Sequence, residues 1–215
     1  MAILCSVKGK ERGVYYHGVD SVTGFVLAGG KSSRMGQDKA FMQLGGRTLL
    51  VHALGRAQAA TGNAWIVGST EKFEAFGPVV EDVYPERGPL AGIHAALSGT
   101  RTQLNLITAV DMPFLQIDFL KYLIAQARAS RAAVVVPRAG GGLQPLCAVY
   151  RKDFAQVAQR SLTAGKNKID TLFSDVPTLV IEQAELERSG FMPDMFRNLN
   201  TEQDWQEAQQ KLVPE

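Results

Sequence analysis

The apolar run Phe25-Val26-Leu27 feeds directly into Ala28-Gly29-Gly30-Lys31-Ser32-Ser33-Arg34-Met35-Gly36-Gln37-Asp38-Lys39, a turn with paired glycines and spaced cations. Glycine has no Cβ, so backbone N–H groups there can approach an anion closely, while Lys31, Arg34 and Lys39 bring positive charge to the same place. This is phosphate-binding chemistry at the end of a strand, and a nucleoside triphosphate is its natural guest. A Walker A loop would close on Gly-Lys-Ser/Thr, but Gly36 is followed by Gln37-Asp38-Lys39. A dinucleotide fingerprint needs Gly-x-Gly-x-x-Gly, which Gly29-Gly30-Lys31-Ser32-Ser33 does not supply. Arg34 and Lys39 are the candidates for holding phosphates while charge builds on a bridging oxygen.

Asp111 lies in Val110-Asp111-Met112-Pro113-Phe114, where the proline fixes a turn after an apolar run. A hard carboxylate there suits Mg²⁺, which binds through one or two carboxylates plus substrate phosphates; the plainer reading is an Asx-turn. Asp82 can recognise a base or ribose edge, or simply end a strand. Arg87-Gly88-Pro89-Leu90-Ala91-Gly92-Ile93 opens a helix with Pro in its first turn, and its glycines serve either a bordering pocket or close helix packing. Gln144-Pro145-Leu146 and Asn198-Leu199-Asn200-Thr201 offer polar groups for a second substrate, though both are equally turn sequences. The histidines His17, His52 and His94 have no metal-ligand spacing, and none is assigned a role in catalysis.

The elements that must hold these residues come from alternating apolar runs and helical patterns. The pattern predicts strands over Thr23–Leu27, Ala64–Val67, Val79–Glu81, Leu104–Val110, Ala132–Val136, Leu146–Tyr150 and Thr178–Ile181. It predicts helices over Thr48–Ala60, Leu90–Ser98, Ile117–Ala129, Asp153–Leu162 and Lys168–Phe173, with a last amphipathic helix after the cap-like Thr201-Glu202-Gln203-Asp204. Arg138-Ala139-Gly140-Gly141-Gly142 reads as a turn or loop. The alternation predicts an α/β protein with a mostly parallel sheet, in which ligands sit beyond the carboxyl ends of the strands. The residues after the first strand, Gly68-Ser69, Asp82 and Asp111 should therefore share one rim.

At 215 residues and 46% hydrophobic, the chain suits one compact domain over 22–215, preceded by an extension over 1–21. A net charge of +2 with scattered basic residues argues against a dedicated nucleic-acid binder. Cys5 and Cys147 make neither a disulfide framework nor a metal cluster, so reduced thiols and a cytoplasmic place are expected. The apolar start runs straight into Lys8-Gly9-Lys10-Glu11-Arg12, a poor signal peptide, and no run is long enough to span a bilayer.

The loop Leu27–Lys39 matches, at every fixed position, the Leu-Ala-x-Gly-x-Ser-x-Arg-Met-Gly-x-x-Lys signature of nucleotidyltransferases that activate a phosphorylated small molecule. With Gly88-Pro89-Leu90-Ala91-Gly92, Asp111-Met112-Pro113-Phe114, Gln144-Pro145-Leu146 and Asn198-Leu199-Asn200-Thr201, the chain from Val22 onward closely resembles the molybdenum cofactor guanylyltransferases. The resemblance implies a Rossmann-like three-layer sandwich and transfer of GMP from GTP to molybdopterin, with Mg²⁺ as cofactor and pyrophosphate released. It implies that Leu27, Ala28, Gly29, Gly30 and Gly68 line the nucleotide, that Lys39 touches its phosphates and Arg34 stabilises them, that Asp82 helps read guanosine, and that Asp111 holds GTP and Mg²⁺. Gln144, Pro145, Asn198 and Asn200 would face molybdopterin. On this division 22–115 is a nucleotide-binding half and 116–215 a cofactor-substrate half; apo-molybdoenzymes and other cofactor-biosynthesis proteins would be transient partners. Gly68-Ser69 stands where members often carry Asn. Rival readings are a cytidylyltransferase acting on the same cofactor, whose loop reads Leu-Ala-Ala-Gly, a transferase acting on sugar or alditol phosphates, and a GTP-binding carrier without turnover.

Overall fold

A computed structural model of the chain describes residues 21–29 and 38–212. The N-terminal extension and the Gly30 and Arg34 expectations lie outside the described residues. Central to the fold is β1 (Val22–Leu27), buried along its whole length. The chain continues through a hairpin of β2 (Gln43–Leu44) and β3 (Arg47–Thr48), α1 (Leu49–Thr61), β4 (Ala64–Val67), α2 (Thr70–Phe73), β5 (Val79–Val80) and α3 (Pro89–Gly99). Then come β6 (Leu104–Ala109), α4 (Ile117–Ala129), β7 (Val134–Ala139), β8 (Gly142–Leu143), β9 (Cys147–Arg151), α5 (Phe154–Thr163), β10 (Thr178–Ile181), α6 (Gln183–Arg188) and α7 (Glu202–Leu212).

The main sheet has the order β10-β7-β9-β6-β1-β4-β5, with β8 paired to β7. β1 is parallel to both β4 and β6, β5 is parallel to β4, and β10 is parallel to β7. β9 runs antiparallel between β6 and β7. The chain therefore builds outward from β1 through β4 and β5, then crosses back to lay β6 on the opposite side of β1. That reversal leaves a crevice beyond the carboxyl ends of β1 and β6, where an open α/β sheet binds its ligands.

Side-chain alternation along β1 explains the layers. Phe25 and Leu27 pack with α3 and α5 through Leu90, Ile93, Leu97, Phe154 and Leu162. On the other face, Val26 and Ala28 join α1 and α7 through Leu50, Ala53, Trp205 and Ala208. Phe119, Leu120 and Leu123 of α4 continue that face over β6 and β9. Each large aliphatic or aromatic side chain so buried contributes about 1.5 to 3 kcal/mol. The result is the expected three-layer α/β sandwich.

The two rims differ in chemistry. At the amino end of β6, the Thr102 hydroxyl lies 2.9 Å from that of Thr23 and 3.0 Å from the Asn105 side-chain oxygen, a buried network that closes this end. The opposite rim is open.

Several boundaries differ from the sequence reading. The glycine run is a tight hairpin: Gly140 and Gly141 turn at φ 59° and 80°, Ala139 pairs with Gly142, and the strand before it reaches Ala139 rather than stopping at Val136. Gly45-Gly46 repeats that device between β2 and β3, a hairpin the apolar pattern is too short to announce. The segment read as a helix over Lys168–Phe173 is a 3-10 helix over Asp170–Asp175, and Glu81 falls just past β5. α2 and α6 were not foreseen, because four and six residues carry little helical period. No described helix is long and apolar enough to cross a membrane.

Candidate active site

Asp111 leaves β6 where the pairing with β1 runs one step further, Val110 N–H donating to Leu27 C=O at 3.1 Å. The turn beyond it is pinned on two sides. Met112 is buried, and the Arg56 guanidinium of α1 donates to the Pro113 carbonyl. The Asp111 carbonyl in turn accepts from Leu199 N–H at 3.0 Å, which draws the segment before α7 alongside it. Buried Leu199 anchors that segment, leaving Asn198 and Asn200 exposed on either side.

Lys39 arrives from the other side of the same gap. It begins a 3-10 helix, Lys39–Phe41, capped by Asp38, whose carboxylate accepts from Ala40 N–H at 3.1 Å. Ala40 is wholly buried, and Phe41 stacks on Phe73 with ring centres 5.6 Å apart, so the turn is held at both ends. The Lys39 ammonium donates to Asp111 Oδ2 at 3.2 Å and to Asn200 Oδ1 at 2.6 Å. Three chain segments distant in sequence thus meet at one cation.

These residues border a crevice of about 950 Å³. Its described lining includes Leu27, Ala28 and Gly29 from the exit of β1, Gly68 and Ser69 from β4, and Asp82 from β5, together with Lys39, Asp111 and Asn200. The expected common rim is present. Gly68 is needed on steric grounds: a Cβ there would lie 2.7 Å from the buried Phe73 ring. An asparagine at this position would displace that ring, which accounts locally for the glycine.

The first turn of α3 also reaches the crevice through Gly88, Pro89 and Gly92. Glu86 and Gly88 take left-handed φ of 64° and 72°, bending the chain so that Pro89 starts the helix there. The positive end of the helix dipole favours an anion at that point. Both readings of this segment hold, since a Cβ on Gly92 would also come within 3.3 Å of Leu27.

Asp82 makes a local turn, its Oδ1 accepting from Tyr84 N–H at 2.7 Å; among the described residues its Oδ2 has no donor. Burial pushes the Asp82 carboxyl above its ordinary value, against the Tyr84 amide and His94, which pull it down. Burial likewise lowers the His94 imidazole, which shares a hydrogen bond with Ser98 at 3.2 Å. Burial drives the Cys147 thiol well above its usual range, which removes it as a nucleophile.

Gln144, Pro145 and Asn198 are not among the lining residues. The Gln144 amide donates to Ala139 C=O at 3.1 Å, and Pro145 C=O accepts from the Tyr150 hydroxyl at 2.8 Å. Leu146, between them and β9, does line the crevice. It gave no polar signal in the sequence, and neither did Pro85. Glu86 and Asp38 could have been found by extending the rim rule four residues beyond Asp82 and one before Lys39.

Five described lining residues are carboxylates, Asp38, Glu81, Asp82, Glu86 and Asp111, and one is a cation, Lys39. Glu81 is committed to Thr70 N–H at 2.8 Å and Asp38 to Lys72 at 3.2 Å. A polyanion entering such a lining needs added positive charge. No group of three or more His, Cys, Asp or Glu among the described residues could cage a metal alone. The donor set fits a hard divalent cation shared between Asp111 and substrate phosphates.

The model of the MobA-like NTP transferase domain matches residues 24–178. A probable molybdenum cofactor guanylyltransferase from Pelotomaculum thermopropionicum is 35% identical over 184 residues, covering 85% of this chain and 89% of that protein. One from Carboxydothermus hydrogenoformans is 31% identical over 189 residues, covering 87% and 95%. In fold, the chain is similar to the molybdopterin-guanine dinucleotide biosynthesis protein A of Archaeoglobus fulgidus, with a TM-score of 0.78 at 24% identity over 88% of this chain and 97% of that one. A strand-to-loop exit facing a carboxylate across a nucleotide-sized crevice is thus embedded in a sequence match over most of the chain, and the chain belongs to the MobA-like NTP transferase family.

Proposed function

We propose that this protein is a molybdenum cofactor guanylyltransferase, which transfers GMP from GTP to the terminal phosphate of molybdopterin and releases pyrophosphate. The observation that carries the reading is the meeting of Lys39, Asp111 and Asn200 at the mouth of a crevice lined by Leu27–Gly29. Relatives sharing most of the chain bear that activity in their names.

The chemistry needs no protein nucleophile. An oxygen of the acceptor phosphate forms the new bond to the α-phosphorus of GTP as the bond to the pyrophosphate oxygen breaks. Both reactants are anions, so the protein's work is alignment and neutralisation. Lys39 gives up its bond to Asp111 for bonds to phosphate oxygens while Asn200 keeps hold of its ammonium, and the start of α3 adds fixed positive dipole. Gly30 and Arg34 belong to the same cradle in this reading. Mg²⁺, held by Asp111 and the phosphates, supplies neutralising charge when bound. The open Oδ2 of Asp82 suits guanine, which offers adjacent N–H donors, and Gly68 lines the same crevice. Residues 22–115 thereby bind nucleotide, while 116–215 present Asn198, Asn200, Gln144 and Pro145 to molybdopterin. A cytoplasmic place and transient contact with apo-molybdoenzymes accompany this role.

Purified protein given molybdopterin, Mg²⁺ and either GTP or CTP tests it directly. Pyrophosphate release with GTP well above CTP is expected. CTP preference would move the chain to the cytidylyl class, and nucleotide binding without release would make it a carrier.

A further inference from the structure

The Asp204 carboxylate collects more hydrogen bonds than helix capping requires. Its Oδ2 accepts from Thr201 Oγ1 at 2.8 Å and Thr201 N–H at 2.9 Å, and also from Asn200 N–H at 3.1 Å. Its Oδ1 accepts from the Arg197 guanidinium at 3.1 Å, and that guanidinium is shared with Glu207 one helical turn on. Thr201 Oγ1 completes the box by accepting from Asp204 N–H at 3.1 Å. Capping needs only the exchange between Asp204 and Thr201. The bonds to Asn200 and Arg197 brace the chain on both sides of Leu199, which is itself tied to the Asp111 carbonyl at 3.0 Å.

The geometry points to Asp204 as a positioning residue for nucleotidyl transfer, acting through Asn200 to set where the Lys39 ammonium stands opposite Asp111. The path is continuous: Asp204 holds the Asn200 backbone, Asn200 Oδ1 holds Lys39 at 2.6 Å, and Lys39 reaches Asp111 at 3.2 Å. Lys39 has a flexible four-carbon stem, so its ammonium is only as well placed as its acceptors. This inference deepens the proposed function by adding a residue that touches neither substrate.

The test compares Asp204→Ala, Asp204→Glu and Thr201→Ala in the full chain, with thermal midpoint, kcat and KM for GTP measured on each. Thr201→Ala removes the reciprocal cap while leaving Asp204 its bonds to Asn200 and Arg197. It should lower the midpoint but leave kcat within about twofold. Asp204→Ala should lower kcat about tenfold or more, and Asp204→Glu, the preferred capping-box acid, should restore most of it. Equal kcat losses in Asp204→Ala and Thr201→Ala, or an unchanged kcat in Asp204→Ala, would overturn the assignment.

A second measurement is independent of the acceptor. Calorimetric titration of GTP with Mg²⁺ into Asp204→Ala, Lys39→Met and the double variant closes a cycle. Asp204→Ala should weaken binding severalfold in the parent and hardly at all beside Lys39→Met. Additive losses would show that Asp204 does not act through Lys39. If the wild type binds GTP but transfers nothing to molybdopterin, the functional reading fails while this cycle still judges Asp204.

Discussion

Lys39 and Asp111 pose a question that their separation alone answers poorly: whether their ion pair exists for the fold or for the ligand. The pair is 3.2 Å apart, with side chains 17% and 23% exposed, so it is partly solvated. Such pairs contribute about 0 to 1 kcal/mol to stability, whereas a preorganised cation at a phosphoryl centre is worth ~10² or more in rate. Lys39→Met should therefore lower kcat/KM for GTP by about two orders of magnitude while shifting the thermal midpoint by only a few degrees. Asp111→Asn should behave likewise. A large drop in midpoint with near-normal turnover would assign the pair to the fold. Both residues were legible in the sequence because each stands directly beside a local marker: Asp111 follows an apolar strand run and precedes a proline, and Lys39 completes a spaced signature. Leu146 and Pro85 were not legible, since nothing in their own types marks them and only the sheet order brings them to the crevice.

At the scale of elements, the long periodic segments were readable and the short ones were not. α1 shows why: Thr48 caps it through Val51 N–H, Gly62 closes it at φ 83°, and its buried stripe of Leu49, Leu50, Ala53 and Ala57 repeats with the helical period. α2, α6 and the two glycine hairpins lack room for a period, and tertiary contacts decide them. α7 is the informative case. Its Thr201-x-x-Asp204 box was recognisable as a helix start, but the further bonds to Asn200 and Arg197 depend on how the preceding segment folds back. The Thr201 hydroxyl bond, helped by Arg197 and the backbone amides, pulls the Asp204 carboxyl down to about 2. An unfolded aspartate titrates near ~3.9, so the folded form binds its proton less readily than the unfolded chain. The stability this confers is full above about pH 4 and disappears as pH falls through about 2. Unfolding measured from pH 7 downward should thus show a constant gap between wild type and Asp204→Asn until about pH 4, then a narrowing gap. A gap that is flat throughout this window would show that the carboxylate charge does not stabilise the start of α7.

At the scale of the whole molecule, the crevice gathers segments that lie far apart along the chain. The crevice takes its lining from the exits of β1, β4, β5 and β6, from the start of α3, and from Asn200 beyond the last strand. A triphosphate seated there touches segments from residue 27 to residue 200, so it should stabilise the folded chain as a unit. Binding to the native state alone adds RT ln(1 + [L]/Kd), about 2.7 kcal/mol at a ligand concentration one hundred times Kd. For a chain of this size each kcal/mol raises the midpoint by about 2 to 4 °C, so saturating GTP with Mg²⁺ should raise it by roughly 5 to 11 °C. The acid-rich lining adds a sharper expectation. With five carboxylates facing one described lysine, GTP without a divalent cation should stabilise far less than GTP with it, and Mg²⁺ without nucleotide should do little. Thermal denaturation in the four combinations of GTP and Mg²⁺ separates these cases. Equal shifts with and without Mg²⁺ would mean that backbone dipoles and the protein's own cations, Lys39 and Arg34, neutralise the triphosphate without a metal, and that Asp111 serves some purpose other than holding a metal against it.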